Sequence, residues 1–183
     1  ANGLAALALV NTLAGGAAAL LVWMLLELTE GGQATALGAA TGLVVGLVAV
    51  TPAAGYVTPL AALAIGALGA AASFGALKVR FRSKVDDALD VFACHGVAGL
   101  VGALLTGVFA TTAVNPGGAD GLLAGRPALL GLQALSVVVA LVYAGGATTL
   151  VLGLVSLLVS HRVDLAEEVA GLDQAQHGQQ AYP

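Results

Sequence analysis

The sequence predicts an all-α membrane protein, a polytopic bundle of transmembrane helices, and two observations lead to this fold class. The 183 residues are 59% hydrophobic and only 9% charged, whereas a soluble domain has about 25% charged residues. The apolar residues form long runs separated by short polar segments, which is the pattern of successive membrane spans. The 26 glycines indicate closely packed helices, because small residues let helix backbones approach one another.

Polar or helix-breaking residues divide the apolar runs into five predicted helices and a tail. Glu27 and Gly31 mark the end of the first helix, Pro52 the end of the second, and Lys78 the end of the third. Pro59 suits the first position of the third helix, where its missing N–H costs nothing. The predicted helices are residues 3–28, 35–50, 59–77, 87–111 and 128–161, and the tail is residues 162–183.

The second predicted helix carries a ridge of glycines, Gly38, Gly42 and Gly46, at a spacing of four residues. Such a ridge indicates direct contact with another helix. Two prolines then interrupt the apolar chain within residues 51–59. Irregular backbone near membrane depth is tolerated only inside protein or along a wet cavity. This segment is therefore either a re-entrant turn that lines a vestibule or an ordinary surface turn.

The positive charges predict how the chain is oriented in the plasma (inner) membrane. Four of the six Lys and Arg residues lie in residues 78–84, between the third and fourth predicted helices. Because cytoplasmic loops are enriched in these residues, this loop is predicted to be cytoplasmic, and after five spans the C-terminal tail is cytoplasmic as well. The tail is interpreted as a regulatory or contact segment; the alternative is a solvated, disordered terminus.

Residues 86–96, with the sequence DDALDVFACHG, place three carboxylates and then a histidine at the start of an apolar segment. Since Asp is a good helix N-cap, the helix is expected to begin between Asp86 and Asp90. A helix over residues 87–111 would put His95 at hydrocarbon depth, where an ionisable side chain is costly and is a functional candidate. The alternative is a structural histidine that donates to a backbone carbonyl within a tight bundle.

One side of this helix is predicted to carry Val91, His95, Gly99, Gly102 and Thr106, because their spacing follows 3.6 residues per turn. Apart from Val91, the neighbours of the histidine on that side are small. Small residues either let another helix approach closely or leave room for a lumen.

The common catalytic and nucleotide-binding motifs are missing from the sequence, which has no P-loop, GxSxG, HExxH or CxxC. The charged residues are too few and too scattered for a metal site within this chain, so neither a metal nor a cofactor is predicted. A net charge of −4 gives no reason to expect nucleic acid. A membrane enzyme with His95 and an aspartate as acid and base would lack a nucleophile or metal set, and the chain is not predicted to be an enzyme.

Several short stretches of the sequence together form a recognisable pattern. They are Asn11-Thr12, VTPAAGYV at 50–57, VDDALDVFACHGVAG at 85–99, TGVF at 106–109, and in the tail Glu167-Glu168, Gly171-Leu172-Asp173 and His177-Gly178. Taken in order, these stretches resemble the C-terminal half of an ammonium transporter of the Amt/Mep/Rh family. The resemblance covers essentially the whole chain and agrees with its start, which lies almost inside an apolar run without an initiator Met.

The resemblance implies that the five helices are the seventh to eleventh of an eleven-helix fold with inverted repeats, which assembles as a homotrimer with a pore in each subunit. By the same resemblance, His95 matches the second of twin pore histidines, Val91 a pore-lining residue beside it, and Asp90 an acid on the cytoplasmic side. The first histidine belongs to the missing N-terminal half of the transporter. This chain alone is therefore not expected to form the pore.

The implied function is transport of ammonium or ammonia across the membrane, through a narrow apolar pore with a histidine proton relay. Desolvating ammonium is costly, whereas neutral imidazoles can take its proton and let ammonia pass through the apolar pore. An ammonium-sensing membrane receptor of the same fold is the alternative. The tail ends without an attached output domain and resembles transporter tails, which favours the transporter.

The tail contributes Glu167, Glu168, Gly171 and Asp173 as candidate regulatory residues. The three acids are expected to pair weakly with the basic loop, and Gly171 is expected to allow a turn that other residues make less easily. Two partners are expected. Membrane lipid surrounds the helices, and the resemblance implies that a PII-type signalling protein binds at the cytoplasmic face.

Overall fold

The computed structural model describes residues 2–30, 32–83 and 86–179, and these residues form helices with no strand. The all-α fold class predicted from the sequence is confirmed. The chain divides into two compact units, Ala1–Val138 and Val139–Pro183. Its elements are α1 Gly3–Thr29, α2 Ala36–Val50, α3 Pro59–Phe81, a π-helical turn Phe92–Val97 that runs into α4 Ala98–Phe109, a 3₁₀ turn Leu122–Ala124, α5 Ala128–Ser156, α6 Leu165–Ala170 and α7 Leu172–His177.

Four of these helices are long and apolar enough to cross a membrane: α1, α3, α5 and the continuous stretch from Phe92 to Phe109. Helix α2 has 15 residues, or about 22 Å, which is less than the bilayer core of about 30 Å. Each of the first three helices begins at a polar N-cap whose side chain accepts an N–H from three residues later. These caps are Asn2 to Ala5, Thr35 to Gly38 and Thr58 to Ala61.

Two helix ends differ from the prediction. Helix α3 continues to Phe81 instead of residue 77, so Lys78 and Arg80 lie in its last turn, where cations interact favourably with the helix dipole. Helix α5 ends at Ser156 instead of residue 161. Its chain tightens there into bonds between residues three apart, from Leu157 to Leu154 and from Leu158 to Val155, which often close a helix.

The glycine ridge of α2 packs directly on α1, as predicted. A Cβ added to Gly42 would lie 2.5 Å from Cβ of Trp23, and one added to Gly46 would lie 2.8 Å from Cα of Gly16. The same device recurs where α3 meets α1, because a Cβ on Gly66 would lie 2.8 Å from Cα of Gly15. Backbones this close leave no space for side chains between them. The packing of α1 against α2 and α3 therefore depends on glycine at these positions.

The break segment, residues 51–58, lies between α2 and α3 and is tied into the bundle by its carbonyl groups. The amide of buried Asn11 donates to the carbonyls of Ala54 and Val57, both at 2.8 Å. The loop after α4 donates to two more carbonyls, from Asn115 to Gly55 at 3.1 Å and from the Thr111 N–H to Tyr56 at 3.0 Å. Because these four carbonyls accept hydrogen bonds from other parts of the protein and Ala53, Ala54 and Val57 are buried, this segment is not an ordinary surface turn.

Candidate functional site

The helix that carries His95 begins after Asp90, later than the sequence predicted. The Asp87 carboxylate accepts the N–H groups of Val91 at 2.9 Å and Phe92 at 3.0 Å, and the Asp90 carbonyl accepts the Cys94 N–H at 2.9 Å. Asp87 therefore caps a helix that starts four residues after it, and residues 87–90 lie outside the helix. His95 is accordingly the fourth residue of the π-helical turn, close to the helix start.

Asp90 has an unusual backbone conformation and a charged partner from another helix. Its φ of 54° lies in the left-handed region, which costs an L-residue roughly 1–2 kcal/mol and which Asp tolerates better than most. Its carboxylate forms an ion pair with the Arg80 guanidinium of α3. The two side chains are only 26% and 23% exposed, so the pair is screened less than a surface pair would be. Asp90, the predicted acid on the cytoplasmic side of the pore, thus has its negative charge paired with a cation of the first unit.

The predicted single face of this helix is divided in the structure. Gly102 and Thr106 are buried, and a Cβ on Gly102 would overlap the backbone of Ala49 in α2. Val91 and His95, in contrast, are exposed. Burial therefore differs along the predicted face, and the bonds from Phe92 to Val97 follow the wider π-helical spacing, to which an extrapolation at 3.6 residues per turn does not apply.

His95 faces an open groove between the start of its helix and the first half of α2. The groove has a volume of about 220 Å³ and is lined by Ala40, Thr41, Val44, Leu89, Cys94 and His95; we call it the His95 groove. Apart from the imidazole, its lining side chains are small or apolar, with one hydroxyl and one thiol. No acidic side chain, lysine or arginine is among the described residues that line the groove. The other two histidines of the sequence, His161 and His177, belong to the second unit.

Metal chemistry has no structural support in the described residues, which contain no group of three or more His, Cys, Asp or Glu side chains able to hold an ion. The single thiol, Cys94, is buried.

The tail forms two short helices joined at a glycine. Glu167 and Glu168 lie in the first turn of α6, and Asp173 lies in the first turn of α7. Gly171 between them has a φ of 93°, which strains any residue with a Cβ. The Glu168 carboxylate accepts hydrogen bonds from Arg162 at 2.8 and 3.3 Å, and these bonds and the guanidinium charge lower the pKa of Glu168.

Two residues near the site were not identified from the sequence in these roles, Arg80 as the partner of Asp90 and Asp87 as the cap, and Asn11 was not identified as the support of the break segment. Arg80 was counted only as a loop cation. Its place in the last turn of α3 depends on a helix boundary that shifted by four residues.

Comparison with known proteins agrees with this architecture. A family model described as Ammonium Transporter Family matches residues 1–182. The chain belongs to the ammonium transporter family. It is 41% identical over 182 residues to an ammonium transporter of Bacillus subtilis (strain 168), covering 99% of the chain and 45% of that protein. It is 42% identical over 183 residues to an ammonium transporter of Aquifex aeolicus (strain VF5), covering the whole chain and 43% of that protein.

Solved structures of the same family share the fold. Candida albicans Mep2 superposes with a TM-score of 0.81 at 30% identity, over 86% of this chain and 36% of that one. A protein described as Sensor Amt Protein gives a TM-score of 0.83 at 29% identity, over 96% and 43%. The chain therefore spans less than half the length of these relatives. The apolar helices and the relatives together identify an integral membrane protein.

Proposed function

We propose that this chain forms part of an ammonium or ammonia transport path, in which His95 is one of two histidines that pass protons. The observation that carries this proposal is the exposed imidazole of His95, which faces an otherwise nearly uncharged groove in a chain of the ammonium transporter family. The second histidine and the rest of the pore are proposed to belong to parts of the transporter outside this chain, which spans less than half the length of these relatives.

The chemistry of ammonium supports a relay. The ammonium cation loses its hydration at a large cost in free energy on entering an apolar pore, whereas the cost for neutral ammonia is much smaller. A pair of imidazoles lets the proton and the neutral molecule cross separately. Val91, half exposed beside His95, would line the path, and Asp90 would lie at its cytoplasmic end.

The test replaces His95 with Leu in the full-length transporter and measures ammonium transport in proteoliposomes. Loss of a proton relay should lower the maximal rate by about 100-fold. Cys94→Ala is the matched control, because Cys94 lines the same groove but is not proposed to carry protons. Equal rates for His95→Leu and the wild type, with both proteins folded, would disprove the relay.

The relatives favour a transporter over the ammonium-sensing receptor that shares the fold. The curated relatives are transporters, although one of the similar structures is described as a sensor. Ammonium flux in proteoliposomes separates the two functions, because a sensor binds ammonium without sustained transport.

We also propose that the whole protein is a homotrimer in the plasma membrane with its tail in the cytoplasm, where a PII-type protein binds. Deletion of residues from Asp164 onward should remove the control of transport by this partner while the pore remains folded. Gly171→Ala should have a similar effect, because its φ of 93° disfavours a Cβ. Unchanged transport and unchanged response to nitrogen supply in the deletion would show that the tail has no such role.

A further inference from the structure

We propose that Arg80, from α3, is a positioning residue for His95. This inference rests on the proposed function of His95 and adds a residue outside its helix. Arg80 pairs with Asp90, whose backbone is left-handed and which lies two residues before the π-helical turn Phe92–Val97. Through this pair, Arg80 holds the segment that leads into the turn.

A short path of contacts joins the two side chains. The Arg80 guanidinium pairs with the Asp90 carboxylate, and the Asp90 carbonyl accepts the N–H of Cys94 at 2.9 Å. Cys94 precedes His95 in the same turn. The direction of the imidazole therefore depends on the backbone of Asp90, which is held by one bond from its N–H to the Asp87 carbonyl at 3.2 Å and by the pairing of its side chain with Arg80.

The ion pair is built to fix a conformation. The Arg80 guanidinium also lies over the ring of Phe81, 4.4 Å from its centre, and both members of the pair are about three-quarters buried. A planar guanidinium that is stacked and paired loses little further freedom and orients its carboxylate partner. Asp87 caps Val91 and Phe92 but does not contact the Asp90 side chain through a hydrogen bond in the described residues.

The support that Arg80 gives to Asp90 bears on function because the π-helical turn that follows sets the direction of the His95 side chain. If the turn from Phe92 to Val97 relaxed to ordinary α-helical bonds, His95 would rotate relative to α4, because a π-turn holds about one residue more than an α-turn. A rotated imidazole would leave the alignment that a proton relay requires. Arg80 would then act on transport through geometry, without touching the transported molecule.

The experiment uses Arg80→Met in the full-length transporter, with two controls from the same end of α3. Arg82→Met removes the same charge from an exposed side chain, and Lys78→Met breaks a different ion pair, with Glu30. Arg80→Lys retains the charge, and Arg80→Gln is the variant to measure if Arg80→Met does not fold. The readouts are the structure of the turn, the NMR shifts of the His95 imidazole nitrogens and ammonium transport.

We expect Arg80→Met to change the turn and the His95 shifts and to lower the maximal transport rate about tenfold or more, since small misplacements of reacting groups are costly. The controls should stay within about twofold, as exposed charges contribute little. Arg80→Lys should recover only part of the rate, because it keeps the charge but loses the planar guanidinium that stacks on Phe81. An unchanged turn with unchanged His95 shifts, or the same change in Arg82→Met, would overturn the inference. Altered His95 shifts with unaltered transport would support Arg80 as the positioning residue and disprove the relay.

Discussion

The two ends of the helix from Phe92 to Phe109 are held in different ways. At its later end, Gly102 lies against the backbone of Ala49, and the buried Thr106 hydroxyl donates to the Gly102 carbonyl at 2.8 Å. At its start, His95 is exposed, the spacing is π-helical, the Asp87 carboxylate accepts the first N–H groups, and the Asp90 carboxylate pairs with Arg80. The rigid end is fixed by close backbone contact, whereas the end that carries the candidate site is fixed by polar side chains.

This difference indicates how an apolar bundle can carry an irregular site. Close glycine contacts leave few alternative arrangements, because any displacement opens a gap or creates a clash. Near the start, a Cβ on Gly96 would lie nearest to the Phe92 ring of its own turn, and Asp87 caps the helix while Asp90 pairs with Arg80. The break segment combines both devices, with buried alanines and carbonyls that Asn11 satisfies.

The largest effect is expected when the rigid end is disturbed. Gly102→Ala should destabilise the full-length protein by about 3 kcal/mol, because the new methyl group would overlap the backbone of Ala49, and backbone cannot move aside as a side chain can. Thermal unfolding of the purified protein measures this loss. Gly99→Ala on the same helix is the control, since its Cβ would lie 3.9 Å from Val48. Similar melting temperatures for the two variants would contradict the assignment of the rigid end.

A smaller loss is expected at the break segment. Asn11→Ala should cost about 2 kcal/mol, because the carbonyls of Ala54 and Val57 would both lose a buried donor. Hydrogen exchange and thermal unfolding would measure it. Thr12→Val is the neighbouring control, because the Thr12 hydroxyl donates only to Ala8 of its own helix. A stability equal to that of the control would mean that water replaces the amide and that Asn11 does not hold the segment.

The contrast between the two ends also explains what the sequence could predict. Apolar runs, N-caps and the spacing of Gly42 and Gly46 follow local rules, so the helices and their close contact were predictable. The start of the His95 helix was not, because three aspartates compete for the cap and only tertiary contacts decide among them. The ion pair of Arg80 with Asp90 likewise joins two helices, and no spacing along the chain indicates such a contact.

The family resemblance identified His95 as a candidate that composition could not distinguish from a structural histidine. It did not identify the π-helical turn, because an inserted helical residue leaves no mark in an apolar sequence. The prediction of one face from Val91 to Thr106 assumed 3.6 residues per turn throughout, a spacing that the π-helical turn does not follow.

The smallest effect concerns the loop that follows the rigid end. The Asp120 carboxylate accepts the Thr112 N–H at 2.8 Å and its hydroxyl at 3.0 Å, and this backbone hydrogen bond is the main reason that the pKa of Asp120 is lowered. A lowered pKa in the folded state means that the stabilisation is complete above the unfolded-state pKa of about 3.9 and is lost as the pH falls through the folded-state value. The loop should therefore be protected at neutral pH and should open only in acid.

Amide hydrogen exchange of Thr112 as a function of pH measures this opening. Its protection should fall in acid by a few-fold, beyond the intrinsic pH dependence of exchange, because one partly buried carboxylate loses its charge. The Gly117 N–H is an internal control, since it donates to the neutral Asn115 side chain at 3.0 Å in the same loop and should show no such step. Asp120→Asn should abolish the step at Thr112. If Gly117 and Thr112 lost protection together, the whole loop would be opening for a reason other than the loss of charge on Asp120. The Asp120 bonds would then not hold the loop, and the firmly packed part of this region would end with the helix at Phe109.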